Sequence, residues 1–358
     1  MNMTEIISWE KVHICGRCID KTGQLNLVWT GSGVEFEMNA SELAIVLETG
    51  WHMYMPWISL VLDGEWIAHI PVQEGENKLT LFKGMDPSVK HKVRIVKDFQ
   101  ASVDDPTSFL YLRKIIVNGE IRKPAPKKYN IEFVGDSITS GEGAIGAHEE
   151  MDWITPYFSS VRNYAYMIAE DMDADYRSIS QSGWGIVNGW DNNIYTTVPS
   201  IYHSAEAKRN VSDYDHSSWK ADAVVINLGT NDDFSFQNPA FTDPATGKTY
   251  GNKNLSNGEH DPEDLKRIEK GIIEFLKDVR KSNPQAHIVW VYGMLGFGLG
   301  VTIEKALSSY ISESGDKNAA FLKLPDTADD AFGSRGHPGE KSHRAAADVI
   351  CEHLRNVL

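Results

Sequence analysis

YNIEFVGDSITSGEG, from Tyr129 to Gly143, is an apolar run that stops on a serine. Residues 131–134 (Ile-Glu-Phe-Val) predict a short buried strand, and Gly135-Asp136-Ser137 closes it with polar and glycine residues behind. A serine at the C-terminal tip of a parallel strand sits on rigid backbone and faces the crevice where α/β proteins bind ligands. Position alone does not make a nucleophile: Ser137 also needs a base, and donors for an oxyanion. By itself the tripeptide reads equally as a strand-to-loop turn in which Asp136 or Ser137 caps the next helix.

Working outward from that stretch, strands and helices alternate to the end of the chain. Further strands are predicted at 175–179, 223–228, 287–292 and 320–324. A helix starts after Asp261, an N-cap, with Pro262 at the first helical position and Glu263 and Asp264 at the positive end of the dipole. Leu265, Ile268, Ile272, Phe275, Leu276 and Val279 then share one face, and Asn283-Pro284 ends the helix. Another helix runs from about 339 to the C-terminus. This alternation implies a parallel sheet covered by helices on both faces. Residues 234–260, rich in Asn, Gly, Pro and Thr, form a long loop directly after a strand, the kind that is usually functional or mobile.

Upstream the texture differs. Short β-type runs occupy 25–29, 34–38, 43–47, 57–62, 65–70, 78–82, 92–96 and 109–117. Several alternate apolar and polar residues, and turn signals such as Gly31-Ser32-Gly33, Asp63-Gly64 and Asp86-Pro87 separate them. They predict a β-sandwich of jelly-roll type. The join, 118–128 (NGEIRKPAPKK), has two prolines and four basic residues and reads as a stiff, solvated connector. The chain thus divides into a β-sandwich over 1–122, a linker over 123–128 and an α/β domain over 129–358.

Composition narrows the function classes. In 358 residues, 35 Lys plus Arg face 50 Asp plus Glu, a formal net charge of −15. That balance argues against nucleic acid or an anionic membrane surface as partner and suits a neutral ligand such as a sugar. No stretch is apolar and long enough to span a bilayer. The opening MNMTEIISWEKVHICG lacks the apolar core of a signal peptide, so a cytoplasmic protein is expected. Three cysteines, Cys15, Cys18 and Cys351, are not a disulfide framework. Cys15-x-x-Cys18 has no second pair to complete a zinc site, so reduced thiols are expected, with no metal and no cofactor.

Three further blocks fall where an α/β crevice needs them: Gln181-Ser182-Gly183-Trp184-Gly185, Gly229-Thr230-Asn231-Asp232 and Gly336-His337-Pro338-Gly339. His337 can hold a proton between attack and leaving-group departure. A glycine lets a backbone N–H approach a developing oxyanion, and an Asn amide adds a fixed donor. Gly183 and Asn231 fit those parts, with the Ser137 N–H as a third donor. Removing one such donor costs about 3–4 kcal/mol of barrier.

Ser137, Gly183, Asn231 and His337, in that order and in those blocks, resemble the SGNH (GDSL-type) hydrolase superfamily. The β-sandwich ahead of the catalytic domain resembles carbohydrate esterase family 2, over nearly the whole chain. The resemblance implies a flavodoxin-like hydrolase domain and O-deacetylation of plant-polysaccharide oligosaccharides, mannan or xylan. It further implies an acetyl-serine intermediate, no metal and a preference for exposed positions such as the sugar 6-O. One position departs from the pattern. Where the superfamily often has Asp three residues before the histidine, this chain has Ser334. Some members of the resembled family use a Ser–His dyad oriented by a backbone carbonyl, and that arrangement is expected here.

Other candidates have plainer roles. Trp153, Trp184 and Trp190 are substrate-platform candidates or ordinary loop packing, while Trp29, Trp57 and Trp66 are expected in the β core. His148, His203, His216 and His343 are expected on the surface or in loops. Asp329 and Asp330 are expected to cap or to face solvent, and Asp232 and Asp233 to brace the Asn231 turn. Two rivals to an acetylesterase stay open: a carbohydrate-binding protein with a vestigial site, and a lipid or thioester esterase. Oligomeric state cannot be read from the sequence.

Overall fold

In a computed structural model, the alternating runs of the first half fold into two six-stranded antiparallel sheets packed face to face. The structure describes residues 4–6 and 9–358; residues 1–3, 7 and 8, part of the opening read above for a leader, lie outside it. In one sheet Phe109–Val117 lies between Gln24–Leu27 and Glu42–Gly50; in the other His91–Lys97 lies between Gly33–Asn39 and Trp57–Leu62. Leu25, Ile45, Leu47 and Leu112 from the first sheet meet Phe36, Ile58, Leu60 and Ile95 from the second in one apolar core. All eight predicted runs form strands. Thr4–Ile6, His13–Cys15, Cys18–Lys21 and Glu120–Arg122 add to them. The last corrects the reading of 118–128: Ile121 sits opposite Met38 and is buried, so the open connector begins only after Arg122.

The second half forms a five-stranded parallel sheet. Across the sheet the order is Ala174–Ser180, Tyr129–Gly135, Ala223–Asn227, His287–Tyr292 and Ala319–Lys323. This is the doubly wound order that reverses at the first strand, and the reversal opens a crevice at the strand tips. Alternate residues serve the two faces. Val224 and Ile226 point into the core with Pro262–Ser282 and Gly300–Ser314, and Ala223 and Val225 into the core with Tyr164–Asp171 and Glu340–Val357. Asp261 caps Pro262–Ser282 by accepting from the Glu263 N–H, as its sequence predicts. Tyr164–Asp171 and Gly300–Ser314 were not predicted; the first has eight residues and the second opens on glycine without a side-chain cap. Among the described residues no helix is long and apolar enough to cross a membrane.

The long loop after the third parallel strand is tied down. The Asn252 side chain donates to Ser235 Oγ (2.7 Å), its N–H donates to Asn192 Oδ1 (2.9 Å), and Asn192 Nδ2 donates to the Ser235 carbonyl (2.9 Å).

Buried polar contacts join the two halves. Arg17 of the β-sandwich donates from Nη2 to Glu132 Oε2 (3.1 Å) and from Nη1 to the Tyr202 carbonyl (2.5 Å). Tyr202 Oη donates to the other Glu132 oxygen (2.8 Å). Glu132 lies on the strand that ends at Ser137, and both charged side chains are almost wholly buried. Removing one partner of such a pair leaves the other charged and unsolvated. Arg17→Ala is therefore expected to cost about 3–5 kcal/mol in urea unfolding. The double variant Arg17→Met/Glu132→Leu should recover most of that loss, and an Arg17→Ala loss below about 1 kcal/mol would show that the pair does not hold the halves together.

Candidate active site

Ser137 begins a single helical turn at the tip of the first parallel strand. Asp136 caps that turn by accepting from the Ile138 N–H (3.0 Å), the capping role foreseen for this tripeptide. Gly135 is required because a Cβ there would collide with Thr139 and with the Asn227 carbonyl.

Ser137 Oγ lies 3.0 Å from His337 Nε2. His337 Nδ1 lies 3.1 Å from the Arg335 carbonyl. A carbonyl only accepts, so Nδ1 carries the hydrogen and Nε2 is free to accept from the serine hydroxyl. This is the carbonyl-oriented pair expected from the sequence. Ser334, at the position of the absent acid, turns away: it is fully buried and its Oγ donates to the Ile145 carbonyl (3.2 Å). The orienting carbonyl depends on an unusual backbone. Arg335 is left-handed at φ 59°, ψ 30°, a conformation costly for a residue with a side chain. Its N–H donates to the Glu150 carbonyl (2.7 Å), its Nη1 to the Met151 carbonyl (3.1 Å) and its Nε to Glu142 Oε1 (3.1 Å).

The loop after Ser137 and the loop carrying His337 interlock. The Ser334 N–H donates to the Gly143 carbonyl (3.2 Å). Gly143 has φ 68°, and a Cβ there would stand 2.6 Å from His337 Cβ. No other residue type fits without pushing the base away.

The three candidate oxyanion donors, at Ser137, Gly183 and Asn231, line the same cleft. Among the described residues the Ser137 and Gly183 N–H groups have no acceptor. Gly183 has φ 78°, and its missing Cβ leaves room for the Trp190 ring. Asn231 Nδ2 donates to the Trp184 carbonyl (2.9 Å) and, more loosely, to Asp136 Oδ2 (3.3 Å), so one amide hydrogen is weakly held. Asp232 braces the arrangement, accepting from the Ile186 and Val187 N–H groups (2.8 and 2.9 Å) and so joining the Asn231 turn to the Gly183 loop. Asp233 instead meets the Tyr292 hydroxyl (3.0 Å) and His260 (3.1 Å). Burial pushes Asp232 up to about 6 and Asp136 up to about 7, the latter helped by Asp232 and Glu142 nearby.

Ser137, Gly183, Asn231, His337, Trp153, Trp184 and Trp190 all line one cleft of about 460 Å³. The β-sandwich closes one side with Tyr54, Gln100 and Ser102 to Asp104. Gln100 Oε1 accepts from the Ser182 N–H (2.6 Å), which fixes the residue before Gly183. The three tryptophans differ. Trp190 is 50% exposed and offers a free surface. Trp184 is buried, with the Arg209 guanidinium 4.8 Å above its ring. Trp153 is half-buried and packs edge-on against Tyr54 (4.4 Å) and Phe158 (5.5 Å).

Among the cleft residues that the sequence did not reveal are Glu142, Arg335 and Tyr54. The first two sit inside the Ser137 and His337 blocks, where an unusual charge was the available signal; Tyr54 gave none.

Other candidates resolve as follows. His343, expected at the surface, is fully buried under the Tyr164 N–H (3.2 Å), and burial pushes it down to about 3. It lies on the inner face of the final helix. His148 is exposed, and His203 and His216 are half-buried loop residues. Asp329 and Asp330 face solvent. Trp29 is buried, but in the core of the α/β half with Val134 and Ile226 rather than in the β core; Trp57 and Trp66 are only half-buried, Trp66 donating from Nε1 to Ser59 Oγ (2.7 Å) and Trp57 meeting His69 at a tilt. Cys15 and Cys18 are free thiols; burial pushes both up, Cys18 to about 12. Among the described residues no group of three His, Cys, Asp or Glu side chains is arranged to hold a metal ion.

Comparison with known proteins agrees with this geometry. The model of the GDSL-like lipase/acylhydrolase family matches residues 133–345, and that of the carbohydrate esterase 2 N-terminal domain matches 14–113. The fold superposes on an acetyl xylan esterase from the rumen bacterium Butyrivibrio proteoclasticus with a TM-score of 0.95, at 40% identity over 99% of each chain. A cellulase/esterase of Acetivibrio thermocellus is 26% identical over 339 residues, 92% of this chain and 37% of that protein. An acetylxylan esterase/glucomannan deacetylase of Cellvibrio japonicus is 30% identical over 113 residues, 30% of each. The chain thus spans about a third of the length of the curated relatives it matches.

Asp136 gives a pH test of the site. Its carboxyl binds a proton more tightly folded than unfolded, so its contribution to stability is full below about pH 4 and is lost as the pH rises through about 7. Asp136→Asn keeps an acceptor for the Ile138 N–H and cannot ionise. Thermal unfolding from pH 4 to 8 should show a shallower loss of stability for this variant, by about 1–3 kcal/mol across the range. Parallel profiles for the two proteins would exclude Asp136 as the titrating group.

Proposed function

The chain belongs to the GDSL-like lipase/acylhydrolase family and carries the N-terminal domain of carbohydrate esterase family 2, and on that premise we propose that it is a serine acetylesterase acting on acetylated plant-polysaccharide oligosaccharides. The observation that carries this reading is the 3.0 Å contact of Ser137 Oγ with a His337 whose other nitrogen is already committed to a carbonyl. Two unengaged N–H groups beside it support the same reading.

In this mechanism the Ser137 hydroxyl proton passes to His337 Nε2 as Oγ attacks the acetyl carbonyl. The carbonyl π electrons move onto oxygen, which the Ser137 and Gly183 N–H groups and Asn231 Nδ2 receive. The bond to the sugar oxygen then breaks, and Nε2 returns the proton to that oxygen. Water, or another sugar hydroxyl, repeats the sequence on the acetyl-serine and frees the enzyme. His337 alternates between base and acid, which needs a neutral imidazole at the start.

The sugar would lie along the cleft between the halves, with Trp190 as its stacking surface. The full-length match to a protein named an acetyl xylan esterase favours xylan, and the name of the Cellvibrio relative keeps glucomannan in view. Deacetylation at exposed positions such as 6-O remains part of the proposal.

Turnover of p-nitrophenyl acetate should fall to background in Ser137→Ala and His337→Ala, and kcat should fall about 10²- to 10³-fold in Asn231→Ala. Mass spectrometry of acetylated xylan and mannan oligosaccharides before and after treatment should show acetyl loss. Equal rates for wild type and Ser137→Ala, with sugar binding retained, would instead indicate a binding protein. A preference for long acyl chains on p-nitrophenyl esters would indicate a lipid or thioester esterase.

A further inference from the structure

A triad acid does two things for its histidine: it fixes the imidazole's tautomer and orientation, and it stabilises the positive charge the ring acquires. The Arg335 carbonyl, 3.1 Å from Nδ1, supplies the first. A carbonyl carries no net charge, so the second needs another group. Among the described residues one carboxylate comes within 4.0 Å of a His337 ring nitrogen: Glu142, whose Oε1 is 3.8 Å from Nε2. Glu142 is 3% exposed, lines the cleft and holds Arg335 Nε at 3.1 Å.

We propose that the Glu142–Arg335 ion pair takes over the work of the missing triad acid, with the buried Glu142 stabilising the imidazolium and clamping the left-handed turn whose carbonyl orients the ring. This rests on the esterase reading above. Glu142 is a positioning residue that takes no part in the proton transfer; the proton shuttles between Ser137 Oγ, His337 Nε2 and the sugar oxygen. The 3.8 Å separation is too long for a hydrogen bond and short enough for a strong charge interaction in a buried site. Arg335 works in the opposite electrical sense, since its guanidinium disfavours a second positive charge nearby while its backbone aims the ring. Two further titratable groups face this region. His343, on the helix packed beneath, is pushed down to about 3 by burial and stays neutral; Asp136 meets Asn231 rather than the imidazole.

The readout is the pH profile of kcat/KM on p-nitrophenyl acetate, with folding checked by circular dichroism. His337 must be neutral to accept the serine proton, so the acid limb reports the charge around it. Glu142→Gln removes a favourable negative charge; its acid limb should move about one pH unit lower and its plateau should fall about tenfold. Arg335→Gln removes the opposing charge, and its acid limb should move higher. A merely structural pair would lower both plateaus without shifting the limbs in opposite directions. Limbs that stay at the wild-type position, or that move the same way, overturn the proposal. Should Glu142→Gln not fold, the Arg335→Gln limb decides alone: upward supports, unmoved or downward overturns. Ser137→Ala runs beside them. If it keeps wild-type turnover, the esterase reading fails; if it is inactive while both limbs stay put, only the ion-pair assignment fails.

Discussion

The bond between Ser137 and His337 joins residues 200 positions apart, yet a hydrogen bond contributes only about 1 kcal/mol net. It cannot bring its own loops together, since closing a chain segment of that length costs more than one such bond returns. The contact exists because other interactions hold both loops first. The Ser334 N–H on the Gly143 carbonyl, the Ser334 hydroxyl on the Ile145 carbonyl and the Arg335 N–H on the Glu150 carbonyl form a backbone seam between them. Gly143 and Gly333 sit face to face in that seam, where a Cβ on either would collide with backbone of the other loop. The Ser137–His337 contact is thus a consequence of loop packing.

The β-sandwich belongs to the same structure. Gln100 fixes the backbone next to Gly183, the Thr30 hydroxyl donates to the Ser140 carbonyl just after the nucleophile (3.2 Å), and Arg17 neutralises Glu132 on the nucleophile's own strand. Asp98 is wholly buried and accepts from both the N–H and the hydroxyl of Ser160, each at 2.7 Å. Each contact spans the two halves, and each ends within a few residues of the catalytic loops or their supporting strands. Preorganised donors stabilise charge only if they are held before the charge appears. A second domain pressed against the back of the loops provides that rigidity where short loops alone would fluctuate.

Much of this was legible in the sequence because it depends on local pattern. Period-two alternation marks the sandwich strands, apolar runs the parallel sheet, and Asp261-Pro262 with its apolar stripe the long helix. Ser137, Gly183, Asn231 and His337 stand out because each candidate part calls for one residue type in a loop at the crevice, and the structure brings all four into one cleft. What escaped depends on tertiary context. His343 reads as a polar residue on an amphipathic helix, but its burial comes from the helix Tyr164–Asp171 docking over it, which no local pattern announces. Glu120–Arg122 hides among charges and prolines because one buried isoleucine and a pairing with residues some eighty positions earlier define it. Arg335 carries a left-handed backbone without being a glycine, so which carbonyl orients the imidazole emerges only once the turn is seen.

The acids around the site show how burial and chemistry constrain one another. Asp136, Asp232 and Glu142 stand close to a place where an oxyanion would form, and three carboxylates there would repel it. Two features temper that. Arg335 offsets part of the Glu142 charge, and burial raises Asp136 and Asp232 toward neutral pH so that each is more easily protonated than an exposed acid. A protonated Asp136 is also a weaker acceptor than a carboxylate, so it yields the Asn231 amide hydrogen more readily when an oxyanion competes for it. The loose 3.3 Å contact between those side chains fits a donor that must change partners during turnover. In the proposed mechanism, the burial that makes Asp136 costly to ionise favours release of the Asn231 amide to the oxyanion.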